Sequence, residues 1–472
     1  MGFGYKKTLP KHTRPRGFRL IRLSLSNLPN ASRVLNSQRE GIPQFSLCRF
    51  LSETTLNTEH FMQHKGLRIG VCSTFIFAAC MVAWSASQPA ATEKVLYSFT
   101  GGNDGSSPNS GLTLDHAGNL YGSTFDGGST GNGVIYKITR STGQQSVLYT
   151  FRGAKTDGAN PSGNLTFGPG GAIFGTTTGG GTGNGVVFML TPSGTSWTES
   201  VLHVFATGET PINSGVIFDR NGNMYGETAG GGARTDGTIY SLQHTSSGWK
   251  YILIYSFTGG TDGNFPSGGL IFDSAGNLYG TTAAGGSLNI GTVFELKRGT
   301  QGGWAESVIY TFQSTADGVN PESALTFDSS GNLYGTTVYG GDTSCGQGYG
   351  CGEVFELSPS GGVWTKTTLH AFTGPPDGHA PLAGVTFDSA GNLFGTTSNG
   401  GMTGTGALYE LSPSSGGWTE SVIHSFTNRN DGGYPSTPLI FDTEGNLLGT
   451  AEFGGAFTHG VVFAFKGVAA AE

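Results

Sequence analysis

A short phrase returns seven times in this chain, and no other feature of the sequence restricts the fold so strongly. It reads FDSAGNLYGTT at Phe272–Thr282, FDSSGNLYGTT at Phe327–Thr337 and FDSAGNLFGTT at Phe387–Thr397. The other copies begin at Leu114, Phe167, Phe218 and Phe441. Each lies inside a larger repeating unit, with units starting at Val95, Val147, Val201, Leu253, Val308, Thr368 and Val422. Every unit offers four strand-like pieces separated by turn signals. In the fifth these are Ala305–Phe312, Ala324–Asp328, Asn332–Thr337 and Gly352–Leu357.

The turns between the pieces are chemically explicit. In D-x-x-G-N the Asp accepts backbone N–H bonds and the Gly takes the left-handed position, which makes a tight hairpin. The 82 glycines among 472 residues supply such positions throughout. Four-stranded units repeated seven times predict an all-β fold, a seven-bladed β-propeller. The termini predict how it closes. The first unit opens on VLYSF (Val95–Phe99), a piece that elsewhere ends the preceding blade, and the last stops after GVVFAF (Gly460–Phe465). The N-terminal strand can therefore complete the last blade, whereas an open array would leave two unpaired edges.

The pattern G-L-T-F-D-x-x-G-N-L-Y-G-T-T, then G-G, then G-x-V-F-E-L, closely resembles the Gloeo/Verruco-type (GloVer) tandem repeat of secreted bacterial proteins. It is similar, more loosely, to NHL-type propeller repeats. The resemblance spans nearly all of Val95–Phe465. The NHL-like strand order implies that ALTFD lies innermost and WTESVIYTF outermost. The first resemblance brings no activity with it. Its members often end in an anchoring segment, and the ending KGVAAAE leads us to expect release rather than anchoring.

Charge divides the chain. Residues 1–94 carry 13 Lys/Arg against 4 Asp/Glu, and the remainder 12 against 28. An acidic repeat region disfavours nucleic acid and anionic lipid as partners. From Met62 the sequence MQHKGLR, then IGVCSTFIFAACMVAW, then SASQPA has the basic, apolar and small-residue parts of a secretory signal peptide. We expect residues 1–61 to be a non-native extension, 62–87 a signal peptide, 88–94 a linker and 95–472 the propeller. The mature chain is expected to be a secreted monomer without a membrane span. Cys345 and Cys351, in a glycine-rich loop, are expected to form a disulfide, which an oxidising compartment favours.

Candidate sites are sparse. The blade-to-blade loops repeat D-G-x-x-P, which places Asp104, Asp157, Asp262, Asp317, Asp377 and Asp431 in equivalent positions, with Glu209 in the aberrant third unit. A ring of carboxylates at one channel mouth suits a divalent cation or sugar hydroxyls. The same residues also suit a turn, with Asp capping and Pro fixing the entry to the inner strand. Trp197, Trp249, Trp304, Trp364 and Trp418 read as inter-blade packing, or alternatively as sugar platforms. His203, His370 and His424 share a slot with Tyr97, Tyr149, Tyr255 and Tyr310, which reads as a half-buried polar aromatic. GGSTG at Gly127–Gly131 matches a nucleophile pattern only formally, because it lies in a glycine loop rather than on a strand-to-helix elbow.

No catalytic constellation, cofactor or metal motif stands out. Three readings follow. The leading one is an extracellular binding module for a glycan or an envelope partner. The second is a metal-assisted lyase or hydrolase, which requires Glu209, Glu227, Arg234, His379 and His459 to converge on the channel. The third is a purely structural surface protein.

Overall fold

The computed structural model describes residues 92–212, 214–299 and 302–468. The expectations for residues 1–61 and 62–87 lie outside them. Seven antiparallel sheets follow one another along the chain as blades, six of four strands and the fourth of five, with a further two-stranded pairing of Gly378–His379 and Asn399–Gly400 beside the sixth. In the second blade the strands are Gly158–Phe167, Ile173–Gly180, Val186–Ser193 and Ser196–Val204, hydrogen-bonded in chain order. The seventh consists of Ile440–Phe441, Leu447–Ala451 and Val461–Lys466, completed by Thr92–Ser98. Thr92 pairs with Lys466 and Ser98 with Val461, so the closing strand starts at Thr92 rather than Val95. The seven-bladed propeller and its closure by the N-terminal strand are both present.

The core consists of the layers between blades. One apolar cluster joins Tyr279, Val293 and Phe312 of the fourth blade to Leu325, Leu333, Phe355 and Leu357 of the fifth. Another joins Leu448, Val462 and Ala464 of the last blade to Phe99, Leu112, Leu120 and Tyr136, so the closing interface is packed like the others. The tryptophans belong to these layers. Trp249 lies 6.0 Å from Phe174, Trp304 5.8 Å from Tyr225, Trp364 6.3 Å from Tyr279 and Trp418 6.4 Å from Tyr334. Each pair is edge-to-face across two blades, the arrangement favoured by the ring quadrupoles.

Near the axis the blades are tied by threonine. Thr113, Thr166, Thr326 and Thr386 donate Oγ1–H to the carbonyls of Leu165, Val216, Val385 and Leu439 in the next blade. These contacts place the ALTFD strand at the inner edge of each sheet. On the opposite side of the repeat phrase, Asp328 acts as the hairpin cap: its Oδ1 accepts the N–H groups of Ser330 and Asn332, both at 2.8 Å. Asp115, Asp219, Asp273, Asp388 and Asp442 make the same pair of bonds.

Candidate functional site

The D-G-x-x-P loops and the glycine loops share one face and pair with each other. Asn264 pairs with Ala284, Gly378 with Gly400, Val319 with Tyr339 and Gly433 with Phe453. The residue before each proline is left-handed: Ser107, Asn160, Phe265, Asn320, Ala380 and Tyr434 have φ of 54–58°. That conformation turns the N–H of the residue toward the preceding blade. Phe265 donates to Asp236 O, Asn320 to Ile290 O, Ala380 to Cys351 O and Tyr434 to Thr405 O. The following proline then packs against a glycine of the same neighbour. A Cβ on Gly291 would lie 2.3 Å from Pro321 Cδ, and one on Gly460 2.3 Å from Pro108 Cδ. Glycine and proline recur together because each fills the space left by the other.

The structure places all seven loop carboxylates as turn caps. Asp104, Asp157, Glu209, Asp262, Asp317, Asp377 and Asp431 accept the N–H groups of Thr100, Arg152, Ala206, Thr258, Gln313, Thr373 and Thr427 at 2.7–3.2 Å. They are distributed one to each seam between neighbouring outer strands. A bulge in each outer strand precedes the Tyr/His slot and re-aims that side chain. Tyr97 bonds to Asp104 at 2.9 Å, Tyr255 to Asp262 at 3.0 Å, Tyr310 to Asp317 at 2.8 Å, and His370 and His424 to Asp377 and Asp431 at 3.2 Å. Burial alone would raise the Asp104 carboxyl, but bonds from Thr100 and Tyr97 outweigh it and hold the group below its ordinary value.

A third residue reaches each seam from the next outer strand. Glu199 faces Asp157, Glu306 faces Asp262, Glu420 faces Asp377 and Glu93 faces Asp431, while Lys366 takes this place beside Asp317. Burial first, then the facing aspartate, pushes Glu93, Glu199 and Glu306 up to about 7. In all four glutamate seams the Oε1 atom is buried without a hydrogen-bond partner. His370, Asp377 and Glu420 bring their ligand atoms within 4.8 Å of one another, and so do His424, Asp431 and Glu93.

The residues named by the enzyme reading have separate local partners or surroundings. Glu227 is fully buried and accepts the N–H of Gly269 at 2.7 Å; burial pushes its carboxyl up to about 7. His459 bonds to Ser106 at 3.1 Å, Glu209 caps its own turn, and Arg234 is exposed. Among the described residues no hydrogen bond or ion pair joins any two of Glu209, Glu227, Arg234, His379 and His459. Cys345 and Cys351 form the expected disulfide, with Cα atoms 5.6 Å apart. No described helix is long and apolar enough to cross a membrane.

A model of the Gloeobacter/Verrucomicrobia repeat matches residues 59–271, 198–349 and 341–470. The chain belongs to this repeat family. No curated protein matches it. Among solved structures, a candidate 6-phosphogluconolactonase from Bacteroides uniformis is 14% identical with a TM-score of 0.48, covering 72% of this chain and 89% of that one. A candidate oxidoreductase (glucose dehydrogenase) from Thermus thermophilus is 15% identical with a TM-score of 0.42, covering 79% and 99%. Both are too distant to carry an activity across.

The side-chain content of the loop face differs from blade to blade. Phe265 and Leu288 of the fourth blade, Tyr339 and Tyr349 of the fifth, Met402 of the sixth, and Phe453 and Phe457 of the seventh are exposed there, Tyr349 at 70% and Met402 at 75%. The corresponding loops of the first two blades, FDGGSTGNG and TGGGTGNG, present no large apolar residue with comparable exposure, and at the third blade Ile212 of the blade-to-blade loop alone does. Sequence reasoning did not see this arc. Its signal was the apolar residue inside each of four successive glycine loops. The seam glutamates were missed because each lies a full blade away from its aspartate in sequence.

Proposed function

We propose that the ring is an extracellular protein-interaction module that receives its partner on the glycine-loop face of blades four to seven. The observation that carries this reading is the arc of exposed Phe, Tyr, Leu and Met side chains on four consecutive blades. Aromatic residues and Met are enriched at protein interfaces. Seven equivalent turns cannot supply specificity, but an arc confined to part of the ring can. Export is part of the proposal. It is supported by the basic, apolar and small-residue run from Met62 and by a disulfide, which persists in oxidising compartments.

The test is site-specific photo-crosslinking in the native host, with the photoreactive residue at Met402, at Tyr349 and, as a control, at Val363 on an outer strand. The proposal expects one protein adduct from both loop positions and none from Val363. Phe457→Ser and Leu288→Ser should weaken it, and the purified partner should bind the wild-type ring. Equal adducts from all three positions would overturn the proposal. So would glycan-array binding that disappears with the loop variants.

A further inference from the structure

The seven seams are chemical variations on one slot, and comparing them shows what two of them lack. Six seams set the Tyr/His residue of one outer strand beside the loop carboxylate and a third side chain from the next outer strand, whereas between blades two and three the His203 ring stacks on Tyr251 at 4.0 Å. Between blades three and four, the Tyr255 hydroxyl lies between Asp262 at 3.0 Å and Glu306 at 3.4 Å. Between blades four and five, the Lys366 ammonium lies 3.2 Å from Asp317 and 2.6 Å from the buried Glu353. Where the last and first blades meet, Gln145 takes the third position and donates to the Asp104 carbonyl at 3.2 Å. Between blades five and six, and between six and seven, the slot instead holds a histidine facing two carboxylates.

We propose that these two seams are divalent transition-metal sites of the zinc class, one held by His370, Asp377 and Glu420 and the other by His424, Asp431 and Glu93. Three observations converge on this. The donor set of one imidazole and two carboxylates suits Zn²⁺ and its neighbours. The geometry is close: Zn²⁺ binds nitrogen and oxygen at about 2.0–2.2 Å, so tetrahedral donors stand roughly 3.4 Å apart. His424 Nε2 already lies 3.2 Å from Asp431 and 3.9 Å from Glu93. Finally, the fold itself places a cation in the equivalent seam, where Lys366 is only 4% exposed. Glu420 and Glu93 each retain a buried Oε1 without a partner, as Glu199 and Glu306 do in the seams that hold tyrosine, so the histidine is what sets these two seams apart, and Asp377 and Glu420 line a surface cleft through which an ion can enter.

The second site has a structural consequence. Glu93 lies on Thr92–Ser98, the strand that closes the ring, whereas His424 lies on the sixth blade. An ion there ties the closing strand to the neighbouring blade. None of the six ligands belongs to the arc proposed for a protein partner, although Met402 of that arc lines the same cleft as Asp377, Glu420 and His424; metal binding by the purified protein reads the seams without the partner.

The experiment is titration of the full-length, chelator-treated protein with Zn²⁺ by calorimetry, and with Co²⁺ by visible absorption, which reports low-symmetry His/carboxylate coordination. Two ions per chain are expected, one for each cluster. His370→Gln and His424→Gln should each abolish one site, the double variant both, and His203→Gln neither. Glu420→Lys and Glu93→Lys place an ammonium opposite the loop aspartate, as Lys366 does beside Asp317, so each should remove one ion, with circular dichroism checking that the ring stays folded. Zn²⁺ should raise the melting temperature of the wild type, and less so that of Glu93→Lys. Failure to bind either ion with Kd below about 1 mM would overturn the proposal, as would stoichiometry unchanged in the folded lysine variants.

Discussion

Lys366 offers the sharpest test of how the seams are held together. Its side chain is 4% exposed and pairs with Glu353, which is fully buried, and with Asp317. Lys366→Met keeps the packing of the stem but leaves Glu353 as a buried charge without its cation. Removing one partner of such a pair costs about 3–5 kcal/mol. With roughly 380 residues in the ring and an unfolding entropy of about 2.1 cal/mol/K per residue, the melting temperature should fall by about 4–6 °C if the ring unfolds as a unit. The loss should depend on pH in a defined direction. Burial pushes the Glu353 carboxyl up to about 7, although the Lys366 ammonium draws it down. A carboxyl raised in the folded state contributes stability below its unfolded value, near 4.5, and loses that contribution as pH rises through the folded value. Without Lys366 the folded value moves higher still, so the cost of Lys366→Met should be larger at a pH of about 8 than at about 5. Glu353→Val, the residue found at the equivalent Val134, Val186 and Val461, should restore most of the stability when added to Lys366→Met. Differential scanning calorimetry of the four proteins at both pH values measures all of this. A melting temperature unchanged by Lys366→Met, or no recovery on adding Glu353→Val, would refute the reasoning.

Other outcomes follow from single contacts. Gly291→Ala sets a Cβ 2.3 Å from Pro321 Cδ at φ +115°, so denaturant titration should show a loss of about 3 kcal/mol from overpacking and strain. Gly361→Ala, left-handed but open to solvent, should lose only about 1 kcal/mol. Because Glu199 and Glu306 are raised to about 7, chiefly by burial and then by Asp157 and Asp262, the ring should melt at a higher temperature near pH 5 than near pH 8.5. Glu306→Gln should flatten that slope, and a steeper slope in the variant would contradict the assignment. Replacing both Cys345 and Cys351 with Ser opens a loop spanning six residues and should cost at most about 2 kcal/mol. Hydrogen exchange should report the change only around residues 340–352.

Most of the fold was legible because a propeller writes its design seven times. The Asp of FDSAGNLYGTT reads as a hairpin cap from its spacing to Gly and Asn, and Asp328 makes those bonds to Ser330 and Asn332. The unfinished last unit and the surplus first strand announced the pairing of Thr92–Ser98 with Val461–Lys466. The tryptophans packed between blades as their fixed position implied. The seam chemistry was less accessible, because Asp377 and Glu420 belong to different blades and no local pattern links them. The left-handed residue before proline was hidden for another reason: Phe265 and Tyr434 are bulky residues that disfavour φ near 57°. That conformation is sustained by an inter-blade hydrogen bond, which single-unit propensities do not contain.

Repetition determines which of these features can carry specificity. A residue present in every blade answers a need that every blade has, and the seven loop carboxylates answer the same one, the backbone N–H at the start of the loop. A slot that is filled differently from blade to blade has been released from that need, provided that the neighbouring contacts survive. The outer-strand slot meets this condition. It holds Gln145, Glu199, Tyr251, Glu306, Lys366, Glu420 and Glu93 around one ring whose inner contacts hardly vary. The loop arc meets it as well, since Leu288, Tyr349 and Met402 project from glycine turns whose backbone pairing is preserved. The invariant phrase builds a frame stiff enough for these two sets of positions to vary without unfolding it. Function in such a ring is therefore to be sought at its outer seams and on its loop face, rather than in the motif that identifies the fold.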